Sequence, residues 1–477
     1  MVKGNQSTQC ATSADVEVTI LAPIRQSLGY PKILRTNDSP ERYGMLKPRF
    51  LRCGLLICCP PLLCVAQKDP LQARATELRI KTNQKLLFHL EERTRWEERT
   101  GNNFGAAKNQ QDMLSRIRIG MDYRPSKWLT LSGMGQDARA PWYGPNAPSS
   151  FRDSFDLQEA WVNLGTGKSL NLSAGRRMLN YGEGRVIGVP QWTNTSRTFD
   201  HARVEYSNHQ VTADVLFLSP VIVRPDEFNR PELGNRYWGV YNTVPSLLKD
   251  LSIDIYALRH SQNKIGGWTG AGTIGTNSYG IRLYGPLPSK VTYSLEGIAQ
   301  NGHSGVAAQR AYAWFIGISR PATAWRIPIE FSAEVKAASG SHLGETHSST
   351  FDQLTPANHD KFGHEDLFGW KNLRTLRTLE TLHPTKSLAL NVMYTNEWLY
   401  SASDALYNSS GSVIALSKLG NAGHHVGQEL DAFTTYSWGP HMFLVGVGHF
   451  FRGPFVANTT PGVNPHYFYI AQQYTIK

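Results

Sequence analysis

The sequence contains no cysteine after residue 64. All five cysteines, at positions 10, 53, 58, 59 and 64, lie within the first 64 of its 477 residues. The chain beyond them can therefore use neither disulfides nor thiolate metal sites. This distribution is typical of a protein that crosses an oxidising compartment without pairing its cysteines.

Long hydrophobic runs are also absent. After residue 66, no stretch of about 18 residues is both apolar and free of charge, which excludes a hydrophobic membrane-spanning helix. The mean hydropathy of −0.36 does not exclude a membrane protein made of strands. Each strand of a membrane barrel exposes only alternate residues to lipid, so its average hydropathy stays low.

The chain is basic, with 49 Lys and Arg residues, 38 Asp and Glu residues and a formal net charge of +11. A basic domain can indicate nucleic-acid binding. Here the arginines are distributed one or two to a segment and do not form a single basic stripe. We therefore expect no nucleic-acid partner.

The segment from Met45 to Ala66 has the features of a secretory signal. Three basic residues precede an apolar run that is too short to cross a bilayer, and residues 64–66 form a small-x-small cleavage site. A lipoprotein anchor at Cys64 is the alternative, although Leu63 is bulkier than the residue usually found before a lipidated cysteine. We expect an upstream extension at 1–44, a signal peptide at 45–66, a short periplasmic segment at 67–82 and one domain at 83–477.

The segment from Met113 to Tyr123 alternates between two kinds of residue. Ile117, Ile119 and Met121 fall on one face of a strand, whereas Arg116 and Arg118 fall on the other. In one isolated strand, the apolar face would simply pack against a soluble core. That interpretation weakens when the pattern recurs along the chain.

The two-faced pattern recurs in many short segments, which end near aromatic residues and are separated by turn residues. This series is typical of a transmembrane barrel with lipid outside and water inside. At about 22 residues for each strand with its connection, the chain after residue 66 is long enough for roughly 16 to 20 strands. We predict an all-β fold, a transmembrane antiparallel β-barrel with an aqueous lumen. The segments are 85–96, 113–123, 202–206, 279–284, 291–300, 331–336, 426–432 and 468–476.

Two kinds of connection separate these segments. Some are turn-sized, such as 123–126, 165–168 and 285–288, whereas others are long and polar, such as 339–371 and 401–423. Outer-membrane barrels keep short turns on the periplasmic side and long loops outside. Tryptophans 96, 128, 161, 314, 398 and 438 fall near predicted strand ends, where indole rings reach lipid headgroups.

Four local patterns resemble nucleotide-binding, metal-binding or catalytic motifs but lack the structural context that those motifs need. The glycine-rich 270–275 stretch is not followed by a helix, and the histidines at 424–425 and 359–366 lie in polar loops without helical spacing. Glu91 and Glu92 point to opposite faces of their strand, which prevents them from acting as an acid/base pair. We expect no metal, no cofactor and no enzymatic activity.

Two longer stretches resemble the alginate-export family of outer-membrane porins. Residues 174–206, AGRRMLNYGEGRVIGVPQWTNTSRTFDHARVEY, carry a strand-ending Gly-Arg, a Gly-acid-x-Arg-x-Ile-Gly loop and a Trp-x-Asn-Thr-x-Arg turn. Residues 351–373, FDQLTPANHDKFGHEDLFGWKNL, are similar to the family's Phe-Asp-x-Leu-x-Pro segment and the His, Gly and Asp positions after it. Shorter matches lie at 404–407 and 427–431.

The resemblance implies an outer-membrane barrel of about eighteen strands with an arginine-rich constriction, through which an anionic uronate polysaccharide is exported. Strand alternation adds further candidates to those at matched positions. Arg176 is itself at a matched position, but strict alternation places it on the outer face, so its side stays open unless the strand contains a bulge. The expected pore-lining bases are Arg93, Arg95, Arg116, Arg118, Arg177, Arg185, Arg197, Arg203, Arg282 and Lys336. The expected balancing acids are Asp122, Asp200, Glu205, Glu334, Glu429 and Asp431.

Two other functions agree with the same patterns. A general diffusion porin for small anions would share the barrel. A secreted β-rich protein that binds or cleaves acidic glycans belongs to a different class and would leave the mature chain soluble in water. Besides an anionic polysaccharide and outer-membrane lipid, periplasmic export proteins are candidate partners, and a monomer is expected.

Overall fold

The computed structural model describes residues 85–144, 147–263 and 272–476. The expected upstream extension, signal peptide and periplasmic segment all lie outside the described residues. Within these three ranges, no helix is long and apolar enough to cross a bilayer.

Eighteen strands pair antiparallel in sequence order, and the first also pairs with the last, from Leu90 opposite Ile476 to Thr100 opposite His466. The sheet is therefore a closed barrel, which confirms the predicted fold class and strand number. The strands are β1 Leu86–Thr100, β2 Gln110–Ser126, β3 Leu129–Arg139, β4 Asp153–Leu164, β5 Ser169–Arg177, β6 Phe199–Ser207, β7 Thr212–Ile222, β8 Asn235–Leu248, β9 Leu251–Gln262, β10 Ile274–Pro286, β11 Thr292–Ser304, β12 Ala307–Ala324, β13 Ile327–Ala338, β14 Leu373–Leu382, β15 Leu388–Leu399, β16 His425–Trp438, β17 His441–Arg452 and β18 His466–Ile476.

A few short elements lie outside this set. The two-residue strand Arg230–Pro231 pairs with the end of β7, and Leu406–Tyr407 pairs with Val413–Ala415 in a small separate sheet. A six-residue helix, Pro454–Thr459, lies between β17 and β18.

The alternation along each strand separates the two faces of the barrel wall. On β2, the side chains of Arg116 and Arg118 are 1% and 3% exposed, whereas Ile117 and Ile119 are 45% and 64% exposed. The buried face of the strands is polar and the exposed face is apolar, which is the reverse of a soluble sheet. The recurrent pattern in the sequence is thus that of a barrel with its polar side chains inside.

The connections at the two ends of the barrel differ in length. At the end where the chain enters β1 and leaves β18, the strands are joined by turns of two to five residues. The turn that the sequence placed at 123–126 lies at 127–128 instead, because β2 continues across a register shift to Ser126. Most connections at the opposite end are long, and two of them fold inward.

Candidate functional site

Two long loops fill the middle of the barrel. Inner loop A, residues 178–198, joins β5 to β6, and inner loop B, residues 339–372, joins β13 to β14. Most of the residues in 182–198 and 351–372 are buried although they belong to neither strand nor helix. Buried backbone of this kind needs hydrogen-bond partners, and the polar inner wall supplies them.

Arginines on β1 and β2 hold inner loop A through its carbonyl oxygens. Arg93 donates to Gln191 O at 2.8 Å and to Trp192 O at 3.1 Å. Arg95 donates to Trp192 O at 2.6 Å, and Arg116 donates to a third carbonyl of the same turn at 3.1 Å. Strand alternation brings these guanidinium groups, with Arg118, to one patch of the inner wall, which we call the arginine wall (Arg93, Arg95, Arg116 and Arg118).

The positive charge of the arginine wall is only partly balanced. Glu91 Oε1 lies 2.6 Å from Arg116 Nη2 and 3.6 Å from Arg118 Nη1. Glu97 Oε2 lies 2.8 Å from Arg95 Nε. In the described part of the chain, these four guanidinium groups therefore have two carboxylates within ion-pair distance, and a surrounding low-dielectric wall strengthens the field of the excess charge.

A cavity of about 300 Å³ lies beside the arginine wall, toward the short turns of the barrel. Arg177 lies in this cavity with its guanidinium 4.1 Å from the ring centre of Trp161. Asp122 and Glu159 are the nearest acids on the neighbouring strands. Trp161 was expected at a lipid headgroup, but β4 contains register irregularities against β3 and its indole lines the lumen.

A second cluster of charges joins both loops to β13 and β14 of the wall. Glu334 Oε1 lies 3.2 Å from Arg377 Nη2 and 3.5 Å from Arg185 Nη2, and Glu334 Oε2 lies 3.1 Å from Lys336 Nζ. Lys336 and Arg377 also donate to carbonyl oxygens of inner loop B. Glu334 thus forms ion pairs with three cationic side chains, and one of them, Arg185, belongs to inner loop A.

The two inner loops are also bonded to each other. Ile187 and Thr355 form a parallel bridge, and Arg197 donates to Thr355 O at 2.9 Å and to a neighbouring carbonyl of inner loop B. The rings of Trp192 and His359 stack with centres 4.5 Å apart. Because these contacts join the two loops, the loops form one plug across the lumen. The contacts come from the two stretches, 174–206 and 351–373, that resemble the alginate-export family.

Inner loop B contacts the inner face of β16 through residues 363–365. The backbone N–H of Glu365 donates to Glu429 Oε1 at 2.9 Å, and the N–H of His364 donates to Asp431 Oδ2 at 3.4 Å. Gly363 has a φ of +96°, and a Cβ placed there would lie 2.2 Å from a Glu429 carboxylate oxygen. Only glycine allows both this backbone conformation and this approach.

Glu183 anchors the tip of inner loop A to β10 and β11. It lies 2.9 Å from Arg282 Nη2 and accepts a hydrogen bond from Ser294 at 2.6 Å. Burial alone would raise the pKa of Glu183, but Arg185 and Arg282 outweigh it and lower the pKa to about 2.

This anchor predicts an acid-sensitive plug. Because the pKa of Glu183 is lowered, its stabilising contribution is complete above its ordinary value of 4.5 and is lost as the pH falls through about 2. Single-channel conductance should therefore stay constant from pH 7 to pH 5 and rise below pH 4.5. The Glu183→Gln variant should show the raised conductance already at pH 7 and little further change on acidification. A wild-type conductance that falls over the same range would contradict the role of this anchor.

The remaining candidates from the sequence fall at different places. Arg203 lies on the inner face between Glu205, at 3.0 Å, and Asp214, at 3.5 Å. Asp200 was expected in the lumen, and that prediction is wrong. It lies on the outer face of β6, where it pairs with Arg176 at 2.8 Å. Its neighbours Ala202 and Val204 share that exposed face, so alternation itself excludes Asp200 from the lumen.

Sequence reasoning missed several inward side chains of the described barrel. Arg377 follows the alternation of β14 and could have been found from it, and Arg99 continues the inner row of Arg93 and Arg95 on β1. Trp192 and Glu183 lie in inner loop A, whose inward course no local pattern in the sequence indicates. Arg99 lies 3.8 Å from the ring centre of Tyr467 and donates to a carbonyl of inner loop B at 3.0 Å.

The family comparison covers nearly the whole barrel. The sequence profile described as alginate export matches residues 84–469, from the start of β1 into β18. The chain belongs to the alginate export family. Comparison with curated protein sequences gives no match. Family and fold are those of an outer-membrane channel, which agrees with the predicted location.

Solved structures from Pseudomonas aeruginosa share this architecture. OccK2 (OpdF), solved in complex with glucuronate, is 10% identical, with 83% of this chain and 99% of that chain covered and a TM-score of 0.56. OccD3 (OpdP) is 9% identical, with 84% and 92% covered and a TM-score of 0.57. The outer-membrane protein OpdK is 9% identical, with 82% and 98% covered and a TM-score of 0.55. At these identities the likeness concerns the fold alone.

Proposed function

We propose that this alginate-export family channel conducts an anionic polysaccharide built of uronate units across the outer membrane, without catalysis. The observation that carries the proposal is the arginine wall, where, among the described residues, only Glu91 and Glu97 lie within ion-pair distance of four guanidinium groups on two neighbouring strands. Outward transport would bring the polymer first to the cavity with Arg177 and Trp161, which lies toward the short turns.

The contacts of the arginine wall suit a carboxylated ligand. Its guanidinium groups now bind the carbonyl oxygens of inner loop A, and carboxylate oxygens accept the same hydrogen bonds more strongly. A polyuronate would therefore compete with the loop for the arginines. Because the sites are several and partly neutralised, each attraction stays weak enough for the polymer to leave.

Trp161 and Arg177 supply a second kind of contact. An indole ring offers an apolar face to a sugar ring, and the guanidinium 4.1 Å from it offers a partner for a carboxylate. Glucuronate, the sugar acid bound in the OccK2 structure, combines these two features in a single unit. The expected substrate class is thus an acidic sugar polymer.

Ion selectivity tests the proposal. The double variant Arg116→Ala with Arg118→Ala should shift the reversal potential in a salt gradient toward cations, because two of the four charges of the arginine wall are removed. Arg176→Ala is the matched control, since this arginine pairs with Asp200 on the outer face. A wild-type preference for cations, or equal potentials in the wild type and the double variant, would contradict the proposal.

A general porin for small anions is the second candidate, and the plug formed by the two inner loops favours it. A lumen crossed by bonded loops admits small solutes more readily than a polymer. Oligouronate and glucuronate, added separately to a planar bilayer, distinguish the two. Length-dependent block of the ion current by oligouronate, but not by a neutral oligosaccharide of equal length, supports export of a polymer.

A further inference from the structure

The outer face of the barrel carries arginines at the ends of strands that lead to the long loops. Arg236 on β8, Arg259 on β9, Arg310 on β12 and Arg374 on β14 all alternate with buried neighbours and therefore point away from the lumen. We call these four residues the outer arginine belt. They take no part in the lumen contacts described above.

The outer arginine belt has no acidic partner in the described part of the chain. None of its four guanidinium groups lies within ion-pair distance of a carboxylate, and the stretch 264–271 contains no acidic residue. Arg259 instead contacts Asn277 at 2.8 Å, and Arg374 lies 4.5 Å from the ring centre of Tyr400. Other arginines near this rim are paired, for example Arg152 with Asp226.

Two asparagines extend the belt into a continuous row of polar side chains. Arg259, Asn277, Asn301 and Arg310 lie opposite one another on β9 to β12. Asn277 accepts from Arg259 and donates to Asn301 Oδ1 at 2.9 Å, so the amide oxygens of both asparagines accept hydrogen bonds within the row. The two arginines are three strand spacings apart, roughly 14 Å.

The belt lies at one boundary of the apolar band. On β12, the outward residues between Arg310 and Arg320 are Tyr312, Trp314, Ile316 and Ile318. Ten residues of a tilted strand rise about 26 Å, which matches the apolar band of roughly 25 Å in outer-membrane barrels. Arg310 therefore lies at the headgroup level of the leaflet on the long-loop side, and Arg320 lies at that of the other leaflet.

An apolar groove descends from the belt along the outer wall. It begins at Arg236 and Ser261, and its sides are formed by side chains of β4 to β8. Val204, Phe217 and Trp238 are among them, and all three are 36–41% exposed. A cationic head above an apolar channel matches an amphiphile with an anionic headgroup and acyl chains.

We propose that the outer arginine belt, with Asn277 and Asn301, binds the phosphate groups of an outer-leaflet glycolipid of the lipid A type. Its acyl chains lie against the exposed apolar side chains below the belt on β8 to β12 and in the groove that begins at Arg236. Lipid A carries one phosphate at each end of a disaccharide, so two separated cationic positions fit it better than one. A guanidinium group can donate two parallel hydrogen bonds to two oxygens of one phosphate. The apolar side chains below the belt would cover the acyl chains. The proposal concerns the outer wall and does not depend on what crosses the lumen.

Binding of purified diphosphoryl lipid A to the detergent-solubilised full chain tests this proposal. The double variant Arg259→Gln with Arg310→Gln should raise the dissociation constant about ten-fold or more, since charge-assisted hydrogen bonds are lost. Arg320→Gln is the matched control, on the same strand and face but at the opposite leaflet, and should bind as the wild type does. Lipid A from which both phosphates have been removed should bind the wild type as weakly as diphosphoryl lipid A binds the double variant.

Three outcomes would overturn the proposal. The first is equal binding by the double variant and Arg320→Gln, and the second is equal binding of phosphorylated and dephosphorylated lipid A by the wild type. The third is full competition by inorganic phosphate, which would assign the belt to a free anion. Heat-modifiable migration on gels shows whether each variant keeps its barrel, and the dephosphorylated lipid tests the wild type without any variant.

Discussion

Gly363→Ala is expected to raise the single-channel conductance of this barrel several-fold. The added Cβ would lie 2.2 Å from the Glu429 carboxylate, which cannot move aside without losing its bond from the Glu365 N–H. The positive φ of +96° adds backbone strain for any residue other than glycine. Inner loop B should therefore leave its position against β16 and open the lumen.

Gly344→Ala provides a matched control on the same loop. Gly344 also has a positive φ, +83°, but a Cβ there would meet no atom within 4 Å. It carries similar backbone strain without the clash, so its conductance should stay close to that of the wild type. Equal conductance of both variants in planar bilayers would show that the contact with Glu429 does not hold the loop.

Glu334→Gln is expected to give the largest loss of stability among single substitutions in the lumen. Glu334 lies within 3.5 Å of Arg185, Lys336 and Arg377. Without its charge, Lys336 and Arg377 have no carboxylate within ion-pair distance in the described part of the chain, whereas Arg185 keeps Glu183 at 3.1 Å. Removing one partner of a buried ion pair costs about 3–5 kcal/mol. Urea titration of the folded barrel in detergent micelles, followed by heat-modifiable migration, measures the change in the free energy of unfolding.

Glu330→Gln is the comparison for that experiment, because Glu330 lies four residues away on the same inner face of β13. Its carboxylate accepts a hydrogen bond from Ser319 at 2.8 Å, and Gln can retain that bond. The free energy of unfolding should therefore change much less than for Glu334→Gln. Similar losses for both variants would mean that the cluster around Glu334 contributes no more than an ordinary polar contact.

The two predictions concern different properties of one assembly. Gly363 controls where inner loop B lies, whereas Glu334 holds both loops and the wall together through charge. If the loops move during transport, the carbonyl groups that now occupy Arg93 and Arg95 leave with inner loop A. The arginine wall would then be free to bind carboxylates of a passing polymer.

The alternation of residues was enough to predict the wall. Ile117 and Ile119 face outward and Arg116 and Arg118 inward because each strand of a closed barrel has one lipid face and one water face. The same rule gives the sides of Arg176 and Arg177. It also excludes Asp200 from the lumen, so assigning this residue by resemblance alone led to the one misplaced acid.

The sequence by itself therefore determined the barrel, its approximate number of strands and the inward arginines of β1 and β2. The barrel and these arginines depend on a period of two that is local in the chain, and the number of strands follows from the chain length. Only the tertiary structure decided what those arginines contact. Inner loops A and B meet strands that are distant in sequence, as when Arg93 binds Gln191 and Glu183 binds Arg282. Such contacts depend on how irregular backbone satisfies its hydrogen bonds inside a closed wall, and no periodic pattern records that.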